Sequence, residues 1–354
     1  MRIIYCGLQC ENYNPKRRPS FEYVNFYSTL TRMSGVDVLE FPFDTITTLG
    51  KSVWNRQLLE KVTSWKPDVV FAFMFGDEFL PHTLLEIKKI TKSVAWFADD
   101  SWRFFNYSRR YAPLFTKVVT TYSYIEPLYH AYGLHNVIRS AWAANDSALR
   151  EPSVVAKRYD VGFIGQFTPA RGVVMNALQK AGISVEVRGF GWPIQYTHGE
   201  LKGRVSGEEA AQILKQSKIT LNINAAPNLF SPKVLARLFL KRSWSGKFGL
   251  DFHFFQNVRA WYAMRVPQQK SRTFELAGAG QFALTPSADD IEKFYQEGKE
   301  MVFYRSLPDL IEKIKHYLPR DAEREAIAKA GYDRTKREHT YSKRFQSIFQ
   351  YFNS

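Results

Sequence analysis

Short runs of apolar residues alternate along this chain with longer stretches in which apolar positions recur every three to four residues. RIIYCGL reads as a buried strand, and FEYVNFYSTLTRM has helical spacing through Phe21, Val24, Tyr27 and Leu30. VDVLEFP predicts a strand and VWNRQLLEKVTSW a helix. DVVFAFMF is apolar nearly throughout, as a parallel sheet covered on both faces requires. PHTLLEIKKI, SVAWFADD, KVVTTYS, IEPLYHAYG and NVIRSAW continue the alternation. Strand following helix following strand implies parallel crossovers and a doubly wound sheet.

The stretch NDSALREPSVVAKRYD breaks this rhythm with polar residues and a proline, and reads as a linker. A second alternation follows: YDVGFIGQF, GVVMNALQKAG, ISVEVRGFG, SGEEAAQILKQS and ITLNINA. After an irregular stretch from about 226 to 270 come TFELAGAG as helix, QFALTPS as strand, ADDIEKFYQEG as helix, MVFYRS as strand and LPDLIEKIKHYL as helix. From Asp321 onward the pattern is helical, with a break expected near Gly331. The fold class expected is α/β, with two Rossmann-like domains facing a cleft. Residues 1–152 form the first domain and 153–330 the second, which carries the basic and aromatic insertion at about 226–270. Residues 331–354 form a helix crossing back to the first domain. In such sheets ligands bind beyond the carboxyl ends of the strands.

The 354 residues suit two domains rather than one core. A net charge of +15 favours an anionic partner: a phosphorylated small molecule, nucleic acid or an acidic membrane surface. Cys6 and Cys10 are the only cysteines, so a disulfide framework is not expected and a reducing cytoplasm is. No apolar run is long enough to cross a bilayer, and the chain starts directly in a strand-like run with no signal peptide pattern. HExxH, GxSxG, the phosphate-binding P-loop, GxGxxG, paired CxxC and Asp-x-Asp are all missing, and the seven histidines are scattered.

Five stretches carry candidate chemistry. The run Gly162 to Gly172 stands where a strand gives way to a helix. Gly165 lets backbone approach a ligand, the helix start offers free N–H groups, and Arg171 adds charge. These suit a phosphate, but an ordinary strand-to-helix turn with a surface arginine would read the same. In RTFELAGAG, Arg272 and Glu275 are three apart and share a helix face. Glu275 in a first turn can accept two ribose hydroxyls while Arg272 reaches phosphate; the alternative is a surface ion pair worth about 0–1 kcal/mol. The adjacent carboxylates Asp99 and Asp100 end a strand. One of them serves as a general base for an acceptor hydroxyl, or Asp100 or Ser101 merely caps the next helix. Gly189, Phe190 and Trp192 form a glycine and aromatic turn suited to flanking a nucleobase, or a plain turn at the edge of the core.

The fifth stretch, Phe230 to Lys247, has five basic residues and no acidic one: Lys233, Arg237, Lys241, Arg242 and Lys247. Lys233, Arg237 and Lys241 recur every four residues and predict one basic helical face, either for an anionic membrane or simply solvated. Lys16, Arg17 and Arg18 add to the basic surface. Asn222 and Asn224 alternate along one strand, and Asn224, nearer its end, is placed to reach sugar or phosphate.

From Tyr159 to about Phe349 the chain resembles GT-B glycosyltransferases, particularly the CgeB-like (spore maturation protein) branch. The resemblance runs through YDVGFIGQF with Arg171, VRGFGW, SGEEAAQILKQSKITLNIN, RTFELAGAGQF and the pair His339 and Arg344. Over residues 1–150 it rests mainly on the first strand and the two aspartates after SVAWFA. It implies a nucleotide-diphosphate sugar as donor substrate, with no separate cofactor and no bound metal ion. The acceptor would be a glycan, lipid-linked or protein hydroxyl held mostly by the first domain. A GxxxxxKG loop of the group touches the donor diphosphate, and Gly165 to Gly172 fits it with Arg171 in place of lysine. A glutamate near a helix start holds the donor ribose, and Glu275 matches. Many retaining members carry a further glutamate eight positions earlier, where this chain has Pro267. Arg171, Arg272 and Arg265 would neutralise the leaving diphosphate, with Asp99 or Asp100 as base. The expected location is cytoplasmic, at the inner membrane face if the basic segment binds lipid. A nucleotide-sugar-binding protein without turnover and a nucleic-acid-modifying transferase are the alternatives; no DNA-binding motif supports the second.

Overall fold

A computed structural model describes residues 1–352 except 154, 198–202, 204, 225–226 and 246. Six strands open the chain: β1 (Arg2–Cys6), β2 (Asp37–Glu40), β3 (Val69–Met74), β4 (Lys92–Phe97), β5 (Lys117–Thr120) and β6 (Val137–Arg139). Then come β7 (Tyr159–Ile164), β8 (Val185–Arg188) and β9 (Ser217–Leu221), a hairpin of β10 (Leu240–Arg242) and β11 (Phe248–Leu250), and finally β12 (Ala283–Pro286) and β13 (Val302–Tyr304). The chain divides into two compact units: residues 1–141, 227–266 and 341–354 make one, and 142–226 and 267–340 the other. The excursion from 227 to 266 therefore groups with the first unit, where the sequence pattern had put it in the second domain.

The first unit is built on a parallel sheet of order β2-β1-β3-β4-β5-β6. Every residue of β3 is buried, as its continuous apolar run demands when helices cover both faces. The helix Lys51–Trp65 buries Trp54, Leu58 and Val62 on one stripe, and Gly50 enters it at φ 77°, backbone that favours glycine. The apolar stripe of FEYVNFYSTL forms a wide turn at Tyr23–Tyr27 running into Ser28–Leu30. The helix Tyr341–Phe349 also belongs here: Phe345 packs edge-on against Phe26 and Phe71. Its apolar face, Tyr341, Phe345, Ile348 and Phe349, is buried.

The second unit has a parallel sheet of order β13-β12-β9-β7-β8. Ser206 caps the helix Gly207–Lys215 and Thr168 caps Pro169–Lys180, each hydroxyl accepting a first-turn N–H. Asp321–Glu338 is one unbroken helix, so the break expected at Gly331 is absent. Gly331 is there for closeness: a Cβ would stand 2.3 Å from the Glu300 carbonyl oxygen. The helix expected in ADDIEKFYQEG is only a short turn, Ile291–Lys293, and Asp289 just ahead of it takes positive φ, outside helical backbone. Among the described residues no helix is long and apolar enough to cross a membrane.

Candidate functional site

In the second unit, the carboxyl ends of β7, β8 and β9 meet two helix starts. Gly165 follows β7 and donates its N–H to the Arg188 carbonyl at 2.9 Å. Its own carbonyl accepts from the Trp192 indole at 2.7 Å. The two loops touch through glycine: at Gly189, φ is 130° and a Cβ would lie 2.2 Å from the Gly165 carbonyl oxygen. No other residue fits there. Trp192 is only 5% exposed and packs edge-on against Phe163, Phe167 and Tyr196. Trp192 therefore does not flank a ligand base, as the sequence had suggested; it pins the glycine turn. Phe190, on the same turn, is 55% exposed.

Arg171 lies in the first turn of Pro169–Lys180, with its N–H satisfied by Thr168. Its Nε and Nη2 donate to the Ile223 carbonyl at 3.3 and 3.1 Å, and Nη1 to the Gln166 carbonyl at 2.7 Å. Arg272 opens the helix Ser271–Gly278 and donates from Nη2 to the Ile164 carbonyl at 2.5 Å. Burial depresses the Arg171 pKa, and the neighbouring positive charge of Arg272 depresses it further. Neither guanidinium is paired with a carboxylate among the described residues. Two partly buried cations side by side repel unless an anion joins them. Each guanidinium still has N–H groups to offer, and both helix starts point the same charge preference.

Glu275 is partly exposed and makes no ion pair among the described residues, so Arg272 and Glu275 are not a surface salt bridge. Thr273, Phe274, Leu276, Ala277 and Gly278 bury the rest of that helix, and a Cβ at Gly278 would stand 2.8 Å from Ala144 Cβ. The small residues let the helix sit close, leaving Arg272 and Glu275 at its accessible side. Asn222 is buried, donating to the hydroxyls of Thr273 and Thr285 at 3.1 and 2.6 Å. Asn224 is half-buried and donates to the Gln268 carbonyl at 3.2 Å. Tyr304, which the sequence reading missed, donates to the Asn222 carbonyl at 2.8 Å and stands near Arg171. Only its place at the end of an apolar strand hints at this.

The other expected residues lie in the first unit. Asp99 is half-buried and its carbonyl starts the short helix Asp100–Arg103. Asp100 is 1% exposed and accepts from the Tyr129 hydroxyl at 3.3 Å. Burial pushes its pKa up to about 8, against the pull of hydrogen bonds from Thr120 and Tyr129. Such a carboxyl holds its proton at neutral pH, and no substrate hydroxyl reaches it without rearrangement; of the pair, only Asp99 keeps exposed surface. Arg265 stacks on Tyr262 at 3.4 Å, also in the first unit.

The expected basic helix is not formed. Pro232–Leu235 is one helical turn, Ala236–Leu238 a tighter one, and Lys241 lies in β10. Lys233, Arg237 and Lys241 consequently do not share a helical face. Arg237 lies over the Trp102 ring at 4.9 Å and faces Asp99, while Lys241 faces Asp77 and Asp251. Lys233 and Lys247 are exposed, and the side chain of Arg242 lies outside the described residues.

A cavity of about 800 Å³ opens at the amino ends of β7, β9 and β12, near Lys157, Lys218, Gln281 and Arg324. It shares no residue with the arginine corner. No group of three or more His, Cys, Asp or Glu stands together as a metal-binding set among the described residues.

Residues 241–350 match a family model described as glycosyl transferase-like. No curated protein matches. Among solved structures, the chain superposes on HepE from Anabaena in complex with UDP at TM-score 0.57, 11% identity, covering 100% of both chains. It superposes on a sucrose-phosphate synthase from Thermosynechococcus elongatus at TM-score 0.61 and 8% identity, covering 100% of this chain and 98% of that one. The chain has the GT-B fold. A match to TarM, at TM-score 0.55 and 9% identity, covers 85% of this chain but only 59% of TarM's length.

Proposed function

We propose that the chain is a glycosyltransferase using a nucleotide-diphosphate sugar. The observation that carries this is the pair Arg171 and Arg272 at the ends of parallel strands, two adjacent, partly buried cations with no carboxylate partner among the described residues. A diphosphate satisfies both, with the helix starts at Thr168 and Lys270 adding N–H groups. Glu275, unpaired beside them, holds the ribose hydroxyls, Phe190 offers a face to the base, and Asn224 reaches the sugar. As the sugar transfers, charge builds on the leaving diphosphate, and preplaced guanidinium groups stabilise that charge more than the ground state. Asp99 is the candidate base for the acceptor hydroxyl, with Arg265 a further cation. The UDP held by HepE and the glycosyl transferase-like match over residues 241–350 support this reading.

The finer assignments belong to the same proposal: the CgeB-like branch, hexosyl transfer, a glycan, lipid-linked or protein acceptor in cell-surface polysaccharide synthesis, no bound metal ion and a cytoplasmic location. The test is release of nucleoside diphosphate from a panel of nucleotide sugars. Release by the wild type, lost in Glu275→Ala, is expected; no release with any donor, or full activity in that variant, overturns it. A second reading, donor binding without turnover, draws on the burial of Asp100. Calorimetric binding of nucleotide sugar with neither hydrolysis nor transfer would select it.

A further inference from the structure

The excursion from 227 to 266 leaves an unusual amount of apolar surface uncovered. Hairpin pairing sets Leu240 opposite Leu250 and Arg242 opposite Phe248. Alternate strand residues share a face, so Leu240, Phe248 and Leu250 line one side, and Lys241 turns to the other, toward Asp77 and Asp251. Phe248 is 68% exposed and Leu250 71%. The patch continues through Phe252, 87% exposed, and Phe255, 79%. Phe239 stacks on Phe254 at 5.4 Å, and Phe254 meets Phe255 at 5.9 Å, so these rings form one surface. A contiguous patch of this kind marks an interaction site.

The patch is held firmly from behind. Asp77 accepts from the Trp244 N–H at 2.9 Å and the Ser243 hydroxyl at 3.1 Å, and Trp244 packs on the core of the first unit. Asn106 donates to Asn257 at 2.9 Å. The exposed rings are thus presented by an anchored platform.

Charge names the occupant. From Pro227 to Leu250 the chain has five basic residues and no acidic one. Lys233 and Lys247 are exposed and pair with no carboxylate among the described residues. Exposed aromatic and leucine side chains on a segment whose exposed lysines carry no carboxylate partner match the boundary of an anionic bilayer, where rings enter the headgroup layer and ammonium groups meet phosphates. A protein-binding core, by contrast, is depleted of lysine. We propose that this face docks on an anionic lipid bilayer, with Phe248, Leu250, Phe252 and Phe255 entering the headgroup layer and Lys233 and Lys247 meeting lipid phosphates. It uses no residue of the arginine corner, so it stands or falls apart from the sugar-transfer reading.

The experiment is flotation of the full chain with vesicles of phosphatidylcholine alone and of phosphatidylcholine mixed with phosphatidylglycerol. The wild type should float with the anionic vesicles, far less with neutral ones, and less as salt rises. The triple variant Phe248→Ser, Leu250→Ser, Phe252→Ser should lose at least about tenfold in vesicle affinity, and Lys233→Glu with Lys247→Glu a comparable amount. An unchanged thermal melt of each variant shows that the fold survives. No flotation of the wild type, or equal flotation of wild type and triple variant, overturns the proposal. So does self-association by light scattering that the triple variant abolishes, since a second copy then covers the patch.

Discussion

Two strand-end corners, one on each sheet, carry charge in opposite ways. In the second unit, Arg171 and Arg272 are anchored to strand-end carbonyls, adjacent, and without a carboxylate partner among the described residues. In the first unit, Asp100 is sealed in the interior and Asp77 is tied to Ser243, Trp244 and Lys51. One corner keeps its charge available; in the other, Asp100 keeps its proton and Asp77 uses its charge internally. Availability, more than the presence of a charged residue, separates a candidate binding corner from a structural one.

The largest effect expected from a single change falls on the glycine contact that shapes the arginine corner. Gly189→Ala places a Cβ 2.2 Å from a backbone oxygen at φ 130°. Backbone cannot yield as a flexible side chain does, so the loss should be about 3–5 kcal/mol. Denaturant titration measures it; a loss under about 1 kcal/mol would show that the two loops separate freely.

Next in size is the effect on ligand affinity. Arg272→Ala should weaken UDP binding tenfold to a hundredfold, as for roughly 1.5–3 kcal/mol of charge-assisted hydrogen bonding. Glu275→Ala should weaken UDP binding but leave inorganic pyrophosphate binding intact. Calorimetry with both ligands separates the roles. Equal losses for pyrophosphate in the two variants would mean that Glu275 merely positions Arg272.

The local geometry of the arginine corner was largely legible because its signals are local. A glycine at a strand end, a Thr-Pro helix start and the small residues of ELAGAG each act within a few positions. Trp192 was misread because its partner, the Gly165 carbonyl, lies 27 residues away. The basic segment failed for the same reason. Lys233, Arg237 and Lys241 have helical spacing, yet the pairing of Leu240–Arg242 with Phe248–Leu250 and the grip of Asp77 on Trp244 override it. Asp100 is buried with hydrogen bonds from Thr120 and Tyr129, which no spacing connects to it.

Asp100 gives a pH signature. Its folded pKa, about 8, exceeds the ordinary carboxylate value, so the folded state binds more protons than the unfolded state between those values. Its contribution to stability is therefore greatest in acid, falls as pH rises toward about 8, and is flat above. Asp100→Asn removes this titration, so stability should vary less between about pH 4 and 8 than in the wild type. Parallel pH profiles for the two proteins would show that the carboxyl ionises freely when folded.

The smallest effect should come from the structural corner's outer anchor. Burial alone would raise the Asp77 pKa, but the Trp244 N–H, Lys51 and the Ser243 hydroxyl outweigh it and hold the carboxyl below its usual range. A group with a depressed pKa stabilises the fold above its unfolded value and loses that effect as pH falls. Asp77→Ala should cost about 1–2 kcal/mol, because Trp244 and Ser243 regain water at the edge of the excursion. Amide exchange at Trp244 should accelerate while the core strand β3 stays protected. Because Asp77 anchors the hairpin without touching its exposed rings, the variant should still bind anionic vesicles, more weakly in proportion to the loosened hairpin. If exchange accelerates across β3 as well, the excursion is part of the first unit's core rather than a platform attached to it.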